Sequence, residues 1–140
     1  MSITFRPMTM NDYEPVLTLW QNSEGVGLSE ADAPERIARF LQHNPGLSYV
    51  AYAEQVLAGA VLCGCDGRRG YLHHLAVAPT HRRQGIGREL VVHCLTALRD
   101  IDIDKCHLFV FTKNETAIQF WREVGWAERV ELSLMSRLTA

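Results

Sequence analysis

Leu75-Ala76-Val77-Ala78-Pro79-Thr80-His81-Arg82-Arg83-Gln84-Gly85-Ile86-Gly87-Arg88 is the stretch whose reading decides the fold. A β-rich run ends at a proline, a basic loop follows, and two glycines open a segment with apolar residues at helical spacing: Ile86, Leu90, Val91, Cys94 and Leu98. Strand, loop and helix in this order make an anion site. The first N–H groups of a helix lack intrahelical partners, and the helix dipole favours negative charge beside them. Gly85 and Gly87 place no Cβ between a phosphate and the backbone. Arg82, Arg83 and Arg88 add cations that pair with phosphate oxygens. Two common phosphate motifs are excluded. No Lys-Ser/Thr pair follows the glycines, as a P-loop requires, and position 90 is Leu where a dinucleotide fingerprint needs Gly or Ala.

Upstream, residues 2–7 alternate around Ile3 and Phe5 and predict a first strand. Thr9 or Asn11 caps a helix carrying Val16, Leu17, Leu19 and Trp20, with Pro15 near its start. Residues 21–31 predict a flexible loop, and Asp32 with Glu35 resembles a capping box ahead of Ile37, Phe40 and Leu41. The period then changes from helical to alternating. Residues 47–54 and 56–65 predict a hairpin, and 71–78 a third strand of the meander. Downstream of the helix over 85–99, residues 106–112 predict a strand. Asn114 caps a helix that Gly125 ends, and residues 126–138 complete the sheet. Phe109, Phe111 and Phe120 are expected in the core. The order βααβββαβαβ implies one α/β domain over 1–140, of α+β type. Its mixed, mostly antiparallel sheet of about six strands carries helices on both faces.

The pattern Arg82-x-x-Gly85-x-Gly87 resembles the R/Q-x-x-G-x-G/A signature of the GNAT (GCN5-related N-acetyltransferase) family. Asn114-x-x-Ala117-x-x-Phe120-Trp121-x-x-x-Gly125-Trp126 resembles that family's second motif, usually N-x-x-A-x-x-F-Y-x-x-x-G-F. The resemblance implies a GNAT fold and acetyl-coenzyme A as acyl donor. It implies a pyrophosphate held by the amides of Arg82, Arg83, Gln84, Gly85, Ile86, Gly87 and Arg88. Leu75, Ala76 and Val77 are then the strand segment that bulges, splays from its neighbour and pairs with the pantetheine arm. Asn114, Ala117 and Trp121 are the second motif's cofactor contacts. The family's usual Tyr falls on Trp121, and an indole N–H does not deliver a proton at neutral pH. This departure leaves the general acid open among Tyr52, Tyr71, His81, Cys106 and no acid at all.

An amine attacks a thioester only when neutral. Deprotonating a lysine-like amine at pH 7 costs about 4.6 kcal/mol, so a base contributes substantially. His73 and His74 sit on the strand leading into Leu75, and histidine titrates in the right range. Alternation sends adjacent residues to opposite faces, so one of the two is expected to face the acceptor, unless a bulge here breaks the simple alternation. A histidine two residues before this segment resembles a catalytic histidine of serotonin N-acetyltransferase. That favours His73, with His74 and a water-linked carboxylate as alternatives. Backbone N–H groups near Leu75 and Val77 would stabilise a developing oxyanion. The acceptor pocket of this fold lies against the loop after the first helix, whose Glu24, Glu30 and Asp32 suggest attraction of a cationic amine. The acceptor itself, a small-molecule amine or a protein N-terminus, is left open. So is a non-catalytic role as acyl-coenzyme A sensor or interaction domain.

Composition bounds the rest. With 140 residues, 47% hydrophobic and 21% charged, the chain is long enough for its own core. A net charge of −2 gives no broad field for nucleic acid. The N-terminal MSITFRPMT carries no apolar signal segment and no run approaches a membrane span, so a cytoplasmic location without membrane partners is expected. Cys63, Cys65, Cys94 and Cys106 lack metal-ligand spacing and read as buried, reduced thiols. The oligomeric state is not set by the sequence, and a homodimer is compatible with it.

Overall fold

The computed structural model describes residues 2–140. Its elements run β1 (Ile3–Pro7), α1 (Tyr13–Gln21), α2 (Pro34–His43), β2 (Tyr49–Ala53), β3 (Val56–Cys65), β4 (Gly70–Val77), α3 (Ile86–Asp100), β5 (Cys106–Leu108) and α4 (Glu115–Glu123). The chain divides after Phe109 into one compact unit and a second over Val110–Ala140.

The first unit is built on a five-stranded sheet in the order β1-β2-β3-β4-β5. The first four strands form an antiparallel meander, and β5 joins β4 in parallel after the α3 crossover. The continuous apolar run of β3 is explained by burial on both faces. A Cβ on Gly59 would stand 3.0 Å from Leu90 and 3.2 Å from Ile86, so this face of β3 lies against α3. A Cβ on Gly64 would stand 2.7 Å from Phe40, so the opposite face lies against α2. On the α1–α2 side the core gathers Val16, Trp20, Ile37, Val50, Ala60 and Leu62 around the sheet. Asp12, only 1% exposed, ties this side together. Its carboxylate accepts from Arg6 Nη1 at 2.9 Å and Nη2 at 2.7 Å, from the Thr9 N–H at 2.9 Å and from the Tyr52 hydroxyl at 2.8 Å.

Local chemistry differs from the sequence expectation at three places. A 3-10 turn over Glu30–Asp32, not Asp32 with Glu35, carries the capping box. Asp32 accepts from the Ser29 N–H at 3.1 Å, and Pro34 then begins α2. The loop before it is not free chain, because Val26 and Leu28 pack on the core. The predicted strand over 106–112 stops at Leu108, so Phe109 and Phe111, expected in the core, are exposed.

The second unit contains α4 and the segment after it. Asn114 caps the helix by accepting from the Ala117 N–H at 3.1 Å. Gly125, at φ +101°, lets the chain turn back, with the Trp126 N–H donating to the Trp121 carbonyl at 2.9 Å. The predicted final strand over 126–138 is not formed. Its alternating apolar residues find no ladder, and Val130, Leu132 and Leu134 are exposed. A strand is made by a partner that satisfies its backbone, and pattern alone does not supply one. The sheet therefore has five strands.

Candidate active site

The site is organised by the last half of β4. In the register with β3, Leu62 faces His73 and Ala60 faces Ala76, so His74 and Leu75 stand opposite Val61 alone. This is a β-bulge, and His74 carries it at φ +57°. The extra residue shifts the alternation: His73's face continues at Ala76, paired with Ala60, and not at Leu75. Both His73 and His74 line one cleft, which corrects the expectation that only one would face it. The pairing of β4 with β5 covers only Gly70 to Leu72. Within the first unit, His73 to Val77 pair with no strand on the β5 side among the described residues.

Two hydrogen bonds hold the bulge. The Trp20 indole N–H donates to the His74 carbonyl at 3.0 Å, and its ring packs edge-on to the His74 imidazole with centroids 5.0 Å apart. His74 Nε2 lies 3.0 Å from Asp32 Oδ1. Asp32 is nearly buried, and its other oxygen accepts from Ser29, so both carboxylate oxygens are engaged. In the sequence Asp32 shows only as a loop carboxylate and capping residue, with nothing local to connect it to His74. The Ser29-x-x-Asp32 capping signature was its visible trace. His73 makes no hydrogen bond to another side chain among the described residues. Burial pushes its pKa below the ordinary 6.5, the neighbouring His74 pushes the same way, and Asp32 opposes them. His73 is therefore held toward its neutral form in a cleft of about 560 Å³, whose remaining lining comes from residues 27–32, α2 with Asn44 at its end, and Leu62.

The second feature follows β4. Pro79–His81 form a 3-10 turn, and Arg82 Nε donates back to the Val77 carbonyl at 3.2 Å. Arg83, at φ +63°, and Gly85, at φ +79°, are both left-handed, and Gly85 is the N-cap of the 15-residue α3. No side chain caps this helix. A Cβ on Gly85 would meet nothing within 4 Å, so the space beside the helix start is open. Arg82, Arg83, Gln84 and Arg88 are exposed along this turn, while Ile86 and Gly87 are buried and present only backbone. The features predicted for a diphosphate cradle are thus together: an uncapped helix start, a glycine with free space, and arginines beside it.

Asn114, Ala117 and Trp121 lie in the second unit, where Asn114 is the cap and Trp121 packs edge-on to Trp126 with centroids 5.2 Å apart. Of the candidate acids, Tyr52 is committed to Asp12, and burial pushes the Cys106 thiol up to about 12. His81 is buried beside the Thr80 hydroxyl at 3.0 Å, and Tyr71 packs on Phe109. None of the four lines the cleft. All four cysteines are free thiols.

Residues 13–126 match the family model described as the acetyltransferase (GNAT) family. The chain belongs to that family. Membership makes this GNAT protein an acyltransferase with acetyl-coenzyme A as its donor, and the turn from Arg82 to Arg88 fits that donor's diphosphate. An acetyltransferase of Pectobacterium atrosepticum is 31% identical over 134 residues, which cover 95% of this chain and 94% of that one. The PaiA N-acetyltransferase of Thermoplasma acidophilum, solved with coenzyme A, superimposes with a TM-score of 0.79 at 20% identity, covering 89% of each chain. A chain of the NatC complex bound to Gag peptide and coenzyme A gives a TM-score of 0.79 at 22% identity, covering 92% of this chain and 87% of that one. These two solved structures share the fold. Among the described residues, no helix is long and apolar enough to cross a membrane.

Proposed function

We propose that this GNAT protein transfers the acetyl group to the primary amine of a small molecule, by direct attack with donor and acceptor bound together. The observation that carries the reading is the bulge at His74. It turns two adjacent histidines into one cleft on the same strand that leads into the cradle. The amides from Gln84 to Arg88, with Arg82, Arg83 and Arg88, hold the diphosphate. The unpaired edge from Leu75 to Val77 takes the pantetheine arm. Bound acetyl-coenzyme A supplies the acyl group and a thiolate leaving group. His73, held toward its neutral form and without a side-chain hydrogen-bond partner among the described residues, takes the proton that the amine sheds as its nitrogen bonds to the acetyl carbon. His74 is a positioning residue, fixed by Asp32 and Trp20. Backbone N–H groups of the Leu75–Val77 edge would stabilise the charge that develops on the carbonyl oxygen. A cysteine-like thiol has a pKa near 8.5, so its thiolate leaves with little help, consistent with Trp121 in place of the family's tyrosine.

The test is amine-dependent release of free thiol from acetyl-coenzyme A by the full chain, with the acetylated amine identified by mass. Coenzyme A binding with no product from any amine would instead favour a sensor.

A further inference from the structure

We infer that the acceptor amine also carries a carboxylate, as an apolar amino acid does, and that Arg36 and Arg39 bind it. This rests on the reading above that the cleft beside His73 takes the amine. Charge balance in the cleft points away from a cationic acceptor. Glu24 and Glu30 do not line it, although the loop's composition suggests acidity. Asp32 does line it, but its two oxygens are occupied by His74 and the Ser29 N–H. Arg36 and Arg39, three apart on α2, both line the same cleft. Neither guanidinium has an ion-pair or hydrogen-bond partner among the described residues. The acidic Glu35 on the same helix is exposed and lies outside the cleft.

The remaining walls fix the rest of the molecule. Ile37, Phe40 and Leu62 are apolar. Asn44 is spent inside the protein: its amide donates to the Phe40 carbonyl at 3.1 Å and its oxygen accepts from the Cys65 N–H at 3.0 Å. Two exposed arginines, an apolar wall and the His73 imidazole lining one cleft suit a molecule with a carboxylate, an apolar body and an amine. A volume of about 560 Å³ is that of a small-molecule site.

The experiment compares phenylalanine with phenethylamine, leucine with isoamylamine, and spermidine as a polycation, each with acetyl-coenzyme A and the full chain. The carboxylated member of each pair is expected to have the higher kcat/KM by about tenfold to a hundredfold, as for hydrogen bonds to a charged group. In an R36Q/R39Q double variant that ratio collapses to within about threefold. Both substitutions are on an exposed helix face, and a thermal melt checks that the variant is folded. In parallel, calorimetry measures binding of N-acetylphenylalanine and N-acetylphenethylamine. Preference for the decarboxylated amines or spermidine overturns this inference and leaves amine acetylation standing. Arginine-dependent binding of N-acetylphenylalanine, with no amine acetylated, keeps the carboxylate site and overturns amine acetylation. No turnover and no binding overturn both.

Discussion

Substituting Gly85 separates the backbone of the cradle from its charge. The residue sits at φ +79° as the N-cap of α3, and a Cβ there meets nothing within 4 Å. Gly85→Ala therefore causes no clash in the protein. Its cost is the left-handed backbone of an L-residue, about 1–2 kcal/mol, or about 3–7 °C in Tm for a chain of this length. Gly85→Asn tolerates that backbone better and is expected to lose less. Gly85→Glu bears the same backbone cost as alanine and adds an anion beside the diphosphate. Two like charges about 4 Å apart repel by about 1 kcal/mol in water and about 4 kcal/mol at an effective dielectric of 20. Gly85 is exposed, so a value near 2 kcal/mol is appropriate, about thirtyfold in Kd. The assay is calorimetric titration of coenzyme A into all three variants, with thermal melts alongside. Gly85→Glu should melt with Gly85→Ala and bind about thirtyfold more weakly than it. Equal affinities for alanine and glutamate at matched melting temperatures would refute the placement of the diphosphate at this turn.

Three other perturbations test the strand and the core. Protonating a base stops it, and His73 is held below 6.5 by burial and by His74, so the acid limb of kcat/KM should have its midpoint below that value. His73→Ala should remove the limb and cost about a hundredfold to ten-thousandfold near neutral pH, whereas an unchanged pH profile would eliminate His73 as the base. At His74, with φ +57°, Gly should be more stable than Ala by about 1 kcal/mol in urea unfolding, the reverse of the order inside a regular strand; a more stable alanine variant would contradict the bulge. Burial pulls the Asp12 carboxyl up, but Arg6, the Thr9 N–H and Tyr52 outweigh it and hold it below the ordinary 3.8. The resulting stability is present above pH 3.8 and lost as pH falls through the folded value. Asp12→Asn should thus cost about 2–4 kcal/mol at pH 7, and the difference from wild type should shrink in acid, a convergence that paired urea titrations would reveal or deny.

What the sequence made legible was local. The hairpin and meander strands, predicted over 47–54, 56–65 and 71–78, fall at Tyr49–Ala53, Val56–Cys65 and Gly70–Val77, because alternation and turn residues are encoded within a few positions. The helix predicted over 85–99 is Ile86–Asp100, because a left-handed glycine and an apolar stripe mark its start and face. The features that were not legible depend on partners far along the chain. A bulge near Leu75 was implied by the family resemblance, but its place at His74 opposite Val61 is a mismatch between two strands that no residue in β4 announces alone. Asp32 reaches His74 across 42 positions. Arg36 and Arg39 are charged residues on a helix with an exposed side, and only the packing of α2 shows that this side borders a cleft. The segment over 126–138 failed for the same reason in reverse: its alternation was plain, but the partner edge it needed was not a property of the segment.

The bulge also explains why the site can be both strained and reproducible. A left-handed histidine costs about 1–3 kcal/mol, and an isolated hairpin would slip its register to escape that cost. Here slipping would take the His74 carbonyl from the Trp20 indole and the imidazole from Asp32, leaving polar groups on buried residues without partners. Each such loss costs about 1–3 kcal/mol, so the two anchors together outweigh the strain. Trp20 is fully buried in α1, and Asp32 is held by its own capping turn and by the Tyr13 hydroxyl on its carbonyl at 2.7 Å. The core that packs α1 against the sheet is thus the same structure that aims His73 and His74, and a variant that loosens Trp20 should disturb chemistry before it disturbs the fold.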